Sequence, residues 1–141
     1  YAKTHPAGQL GRNLILKVRD VFHPFDKVAC LTKEDSIKQA VIEMSKHPLG
    51  AACILEDKKL IGIITDGDLR RALLETNDIN TAQASDIMTL KPQTISPAEY
   101  LGIALELMEK REPTPISLLP VICPESGSFL GLVRLHDVLS G

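Results

Sequence analysis

Tryptophan is missing from this 141-residue chain, and aromatic residues make up only 4% of it. The core must therefore be aliphatic, and aromatic platforms for stacking nucleic-acid bases are excluded. Net charge is nearly missing too. Lys and Arg number 16 against 18 Asp and Glu, leaving −2, so no basic excess exists to neutralise a run of phosphates and nucleic acid is not an expected partner. No apolar run approaches the roughly 18 residues of a membrane span, and no charged-then-apolar leader opens the chain. A soluble, cytoplasmic chain with no membrane partner is expected. Cysteine is scarce: Cys30, Cys53 and Cys123 are widely spaced, without a CxxC, and the four His at 5, 23, 47 and 136 are scattered. That spacing argues against a metal site, no cofactor is implied, and the thiols are expected to be buried and reduced. What remains is 44% hydrophobic and 24% charged, the balance of one ordinary globular domain.

The chain repeats itself. Residues 31–44 align without a gap on residues 95–108 at a constant offset of 64, so that Ala40 meets Ala104 and Met44 meets Met108. Both copies place apolar residues at i, i+3, i+4 and i+7, as Ile37, Ala40, Val41, Met44 and as Leu101, Ala104, Leu105, Met108. This is the buried stripe of an amphipathic helix. Ser96-Pro97 with Glu99 reads as a capping box at a helix start, and Thr32 with Asp35 as a weaker one.

Downstream, each copy holds two short apolar runs joined by a polar turn: 51–55 and 60–64 around Glu56-Asp-Lys-Lys59, then 118–123 and 129–133 around Pro124-Glu-Ser-Gly-Ser128. These predict β-hairpins. A second helix is predicted from Asp66 to about Leu74 and from Leu135 to about Leu139. Gly62 matches Gly131 at an offset of 69, so the second copy has gained five residues, placed in the stretch from Pro113 to Pro120. Val18-Arg-Asp20-Val21-Phe22 and Ala84-Ser-Asp86-Ile87-Met88 open the copies alike and are read as lead-in strands. One unit of about 60 residues has a marginal core, so the two are expected to bury their sheet faces against each other about a pseudo-twofold axis. Function is then sought at the junction.

Asp86-Ile-Met-Thr89, the apolar-striped helix, and hairpins ending Gly62-Ile-Ile-Thr65-Asp-Gly-Asp68 and Gly131-Leu-Val-Arg134-Leu-His-Asp137 resemble a tandem pair of CBS domains. The resemblance implies an α/β (α+β) fold of two CBS repeats, each a small sheet with two helices, at 17–77 and 78–141. It also implies a cleft between the repeats, lined by the Gly-x-x-Thr/Ser-x-x-Asp signature, that takes a nucleotide. The residue chemistry suits this: a carboxylate accepts from two vicinal ribose hydroxyls, and a Thr hydroxyl with helix N-terminal amides suits phosphate or sugar oxygens. Thr65, Asp68, Arg134, His136 and Asp137 are the candidate ligand-binding residues, with Gly62 letting a ligand approach the backbone. Thr65-x-x-Asp68 is equally a plain capping box. Arg134 stands where the signature has Thr, and offers a bidentate clamp for phosphate or carboxylate instead. His136 either bonds a ligand or pairs with Asp137. Asp66 and Asp68 alone make a poor cation site, and Arg70 and Arg71 read more simply as a solvated face.

The first 16 residues do not fit the repeat. Their His5-Pro-Ala-Gly8-Gln-Leu-Gly11-Arg12 resembles the His-Pro-Gly-Gly-x-Leu-Gly-Arg segment that joins the sugar-isomerase domain to the CBS pair in D-arabinose 5-phosphate isomerases. Thr65-Asp-Gly-Asp-Leu-Arg-Arg71 and Leu135-His-Asp137 fit the same family, while Ala7 departs from its second Gly. The resemblance implies that 1–16 is the tail of an isomerase domain plus linker. His5 is then an acid/base residue that acts only with that domain, since a lone His catalyses nothing. Two functions follow as expectations. One is a regulatory module of an enzyme on the route to 3-deoxy-D-manno-octulosonate and lipopolysaccharide, with a nucleotide or sugar-nucleotide effector. The other is a structural module that joins copies of the chain into a homo-oligomer and leaves its clefts unused.

Overall fold

The computed structural model of the chain describes residues 15–75, 80–111 and 116–140. After a 3-10 turn at Val18–Asp20, the elements run β1 (His23–Pro24), β2 (Ala29–Leu31), α1 (Ile37–Lys46), β3 (Ala51–Glu56), β4 (Lys59–Thr65) and α2 (Asp66–Glu75). The second half follows as α3 (Ala84–Ile87), β5 (Thr89–Leu90), α4 (Leu101–Glu109), β6 (Leu118–Ile122), β7 (Phe129–Arg134) and α5 (Leu135–Ser140). Both hairpins, both stripe-bearing helices and both terminal helices lie where the residue pattern puts them. In the first hairpin Asp57 and Lys58 adopt φ of 52° and 66°, the paired left-handed residues of a two-residue turn whose twist matches its strands.

Two sheets result, ordered β2-β3-β4-β5 and β1-β7-β6. Met44 and Met108 lie with their helix stripes in the two repeat cores, and a third cluster joins the sheets to each other. In it Val28, Ala51, Cys53 and Ile63 of the first repeat meet Leu118, Phe129 and Leu132 of the second. The sheet faces are therefore buried face to face, as the repeat implied. Each fully buried Ile or Leu there adds about 2 kcal/mol. The hairpin tips are also tied, with Phe129 N–H donating to the Lys58 carbonyl at 2.9 Å.

The lead-ins are not simple strands, and they cross over. Residues 18–20 and 84–87 are helical turns, with only His23–Pro24 and Thr89–Leu90 extended. β1 pairs with β7 of the second repeat, while β5 pairs with β4 of the first. Val18 is fully buried in the second repeat's core and Ala84 in the first's. The blocks 17–77 and 78–141 therefore exchange their opening segments in space. This exchange also moves the helix starts. Val18 and Arg19 N–H donate to the carbonyls of Glu99 and Pro97, and Ala84 and Ser85 N–H to those of Asp35 and Lys33. The residues just before the helices, Ser36 and Tyr100, are drawn into extended bridges with Gln83 and Lys17. Helix α1 thus starts late, capped by Ser36 on the Gln39 amide, and α4 starts after Tyr100 with no side-chain cap. The two sequence boxes close local turns instead: Asp35 accepts from the Thr32 amide at 2.7 Å and Ser96 from the Ala98 amide at 3.2 Å.

The matched glycines serve the same crossover rather than a ligand. A Cβ on Gly131 would lie 1.9 Å from the His23 carbonyl oxygen, and one on Gly62 would lie 2.5 Å from the Met88 sulfur. Of the cysteines, Cys53 is buried but Cys30 and Cys123 are only half-buried, and all three are free. Burial pushes the thiols of Cys53 and Cys30 upward, with Glu43 adding to the effect at Cys30. His5 and the Pro113–Pro115 stretch lie outside the described residues. Among the described residues no helix is long and apolar enough to cross a membrane, and no group of three or more His, Cys, Asp or Glu is placed to hold a metal.

Candidate functional site

A cleft of about 830 Å³ opens where the ends of β4 and β7 meet the starts of α2 and α5. The first repeat lines it with Thr65, Asp66, Gly67, Asp68 and Arg71, and the second with Arg134, Leu135, His136 and Leu139. Leu49, Ile63, Ile116, Leu118 and Pro120 add apolar surface, and Thr89, Gln93 and Arg111 add polar groups. Four of the five expected ligand residues are thus brought together: Thr65, Asp68, Arg134 and His136. The first repeat brings the carboxylates of Asp66 and Asp68 with Arg71, and the second brings the guanidiniums of Arg111 and Arg134. Volume and lining are those of a small-molecule site.

Asp68 is held by its own helix start. Its carboxylate accepts from the Thr65 amide at 3.0 Å while its amide donates to the Thr65 hydroxyl at 3.2 Å, so the capping box forms in full. The Thr89 hydroxyl donates to the same oxygen at 3.3 Å, and Arg71 pairs with the other. A carboxylate offers about four acceptor positions, so one remains to Asp68. A second is released if Arg71, whose side chain is 67% exposed, swings away.

Asp137 differs. It is not among the cleft-lining residues, although its side chain, 11% exposed, is no more buried than that of Asp68 at 12%. Oδ2 accepts from the Arg134 amide at 2.9 Å and Nε at 3.3 Å, Oδ1 accepts from the Arg134 terminal nitrogen at 3.2 Å, and His23 Nε2 lies 3.1 Å from both oxygens. The expectation that Asp137 meets ribose hydroxyls beside Asp68 is corrected, because its acceptor positions are already filled. Its persistence without a Thr partner has a local cause in the amide cap, the guanidinium and the imidazole. Burial pushes the Asp137 carboxyl up, but Arg134 and His23 outweigh this and hold it below the ordinary Asp value. Arg134, expected as a clamp for a ligand's phosphate or carboxylate, grips this internal carboxylate here.

The crossover makes the two signature aspartates equivalent. Aligning the lead-ins at an offset of 66 puts His23 on Thr89, and each contacts the aspartate of the other repeat. That offset was the available signal for both residues. Thr89, Gln93, Arg71 and Arg111 were not among the expected ligand residues; Arg111 and Gln93 lie outside any repeat signature.

Comparison with known proteins agrees with this geometry. The CBS domain family matches at residues 18–75 and 84–141. The arabinose 5-phosphate isomerase KdsD of Francisella tularensis is 37% identical over 140 residues, which is 99% of this chain but 41% of that protein. The chain thus spans about two fifths of the length of that relative. Among solved structures, the CBS domain pair of protein MJ0100, in complex with 5′-methylthioadenosine and S-adenosyl-L-methionine, superposes with a TM-score of 0.75 at 26% identity. The match covers 88% of this chain and 93% of that one. A CBS domain protein from Pyrobaculum aerophilum, complexed with AMP, has a TM-score of 0.75 at 19% identity, covering 86% and 89% of the two chains.

Proposed function

The chain belongs to the CBS domain family, and on that footing we propose that it is a regulatory module taking a nucleotide or sugar nucleotide in the cleft between its repeats. The carrying observation is the 830 Å³ cleft with Thr65 and Asp68 on one side and Arg134 and His136 on the other. The carboxylate side suits sugar hydroxyls, the cationic side suits phosphate, and the aliphatic residues between them suit a base. A sugar nucleotide presents all three. The MJ0100 pair, 26% identical, holds adenosine compounds, which supports the ligand class.

The isomerase relative extends well beyond the shared region. That supports a parent D-arabinose 5-phosphate isomerase, cytoplasmic, serving lipopolysaccharide synthesis. The effector would then bias catalytic domains by binding two states unequally. A purely structural module is the competing reading, favoured by Leu73 and Leu74, which α2 leaves 42% and 83% exposed and which suit contact between copies in a homo-oligomer. Calorimetry and thermal shift with nucleoside monophosphates and sugar nucleotides separate the two. Binding that falls at least tenfold in Asp68→Ala is the expected result. No heat and no melting shift with any compound leaves the structural module.

A further inference from the structure

Arg134 both lines the cleft and holds Asp137, and Asp137 in turn holds His23 on the exchanged strand β1. Side chains from β7 and β1 therefore share a single carboxylate on α5. The Arg134 side-chain bonds of 3.2 and 3.3 Å are longer than the 2.7–2.9 Å of a tight charge-assisted pair. The Arg134 side chain is 28% exposed, whereas that of Asp137 is 11% exposed. A phosphate arriving in the cleft carries more charge than a carboxylate and accepts the same planar fork.

We propose that Arg134 exchanges between Asp137 and the phosphate of a cleft-bound nucleotide, and that the exchange is felt at His23. The proposal rests on the ligand class inferred above and adds the route by which binding leaves the cleft. When Arg134 turns to phosphate, Asp137 loses its guanidinium and keeps the Arg134 amide and His23. The imidazole then shares the carboxylate with one competitor fewer, and β1 is held more firmly on β7. Since β1 lies in the lead-in that follows residues 1–16, the signal reaches the segment through which a preceding domain would be joined. Thr89, the counterpart of His23, gives Asp68 an uncharged hydroxyl beside Arg71, so no imidazole stands there to receive an exchange and the relay is proposed for the Asp137 side.

The competition fixes the sign of three variants. Arg134→Gln removes the phosphate reader and weakens binding. Asp137→Asn removes the competing anion and tightens binding about fivefold. His23→Ala removes one of the partners that compete with Arg134 for Asp137, so Asp137 holds Arg134 more firmly and binding weakens, although His23 does not line the cleft. In the Arg134→Gln background the other two changes have no effect.

The test is calorimetry of the 141-residue chain and these variants with AMP, CMP, GMP and UMP, alongside NMR of the His23 imidazole. The expected result is the pattern above, with a ligand-dependent shift of the His23 ring signals that vanishes in Arg134→Gln. Nucleotide binding with Asp137→Asn at or below wild-type affinity, or with an unmoved His23 ring, overturns the relay and leaves the ligand class standing. No binding of any of the four to the wild-type chain overturns both. Should Asp137→Asn fail to fold, His23→Ala alone decides, since unaltered affinity there refutes the exchange.

Discussion

Replacing Gly131 by Ala tests whether the crossed lead-ins hold the fold together. The added Cβ would sit 1.9 Å from the His23 carbonyl oxygen, 2.9 Å from its carbon and 2.9 Å from a ring carbon of Phe22. Two of those three atoms are backbone, so the collision cannot be relieved by a rotamer change. β1 must lift from β7, which removes the pairing of His23 with Leu132 and Pro24 with Gly131 and weakens the hold of His23 on Asp137. Overpacking costs about 1–3 kcal/mol, and each lost backbone bond adds about 1 kcal/mol. A loss of about 3 kcal/mol is therefore expected. Gly62→Ala is the internal control, because the three heavy atoms nearest its Cβ all belong to the Met88 side chain, the sulfur first. Methionine is flexible, so about 1 kcal/mol is expected there. Urea denaturation at neutral pH reads both values, and at about 4 °C per kcal/mol the melting temperatures should separate by roughly 8 °C. Equal effects at the two positions, or less than about 0.5 kcal/mol at Gly131, would refute the claim that a backbone contact of the exchanged strand occupies that space.

Two further outcomes follow from the same contacts. Because the Asp137 carboxyl is held below its ordinary value of 3.8, its contribution to stability is complete above that value and is lost as pH falls through the lowered native one. Urea midpoints between pH 7 and pH 3 should therefore fall less steeply for Asp137→Asn than for wild type, and parallel curves would remove the linkage. The second concerns the lead-in positions Val18 and Ala84, both fully buried but in opposite cores. Val18→Ala opens a cavity and Ala84→Val overfills a small site, and each should cost about 1–3 kcal/mol by the same assay. A neutral Val18→Ala would show that this residue does not fill the second repeat's core.

Periodicity made most of the fold legible. Ile37, Ala40 and Met44, like Leu101, Ala104 and Met108, are buried on the stripes that spacing marks out, because a helix face carries its instruction within eight consecutive residues. The hairpins were legible for the same reason. The helix starts were not. Ser96, Pro97 and Glu99 do form a turn, but where α4 begins is decided by Val18 and Lys17, some eighty residues away, which take up the Glu99 carbonyl and hold Tyr100 extended. No local pattern records that pairing. The glycines misled for a related reason: an absent Cβ signals close approach without saying whether the approaching atom belongs to a ligand or to the chain itself.

The site divides along the same line. Thr65 and Asp68 are readable because their chemistry is local, and the capping box they form is compatible with a ligand role rather than opposed to it. Asp137 was misplaced because its partners come from β7 and from a strand that belongs, by sequence, to the other repeat. Yet the repeat held the missing fact. Once the lead-ins are known to cross, their alignment at an offset of 66 predicts that whatever stands at 23 touches Asp137 as Thr89 touches Asp68. A hydroxyl at one position and an imidazole at the other, with Arg134 replacing Thr, give two like halves unlike electrostatics. Asp68, with an acceptor position to spare, is left as the aspartate able to meet a ligand. Asp137 instead ties the cleft's arginine to strand β1, so under the proposed exchange sugar hydroxyls are met on one side of the cleft, while phosphate recognition and transmission share the other.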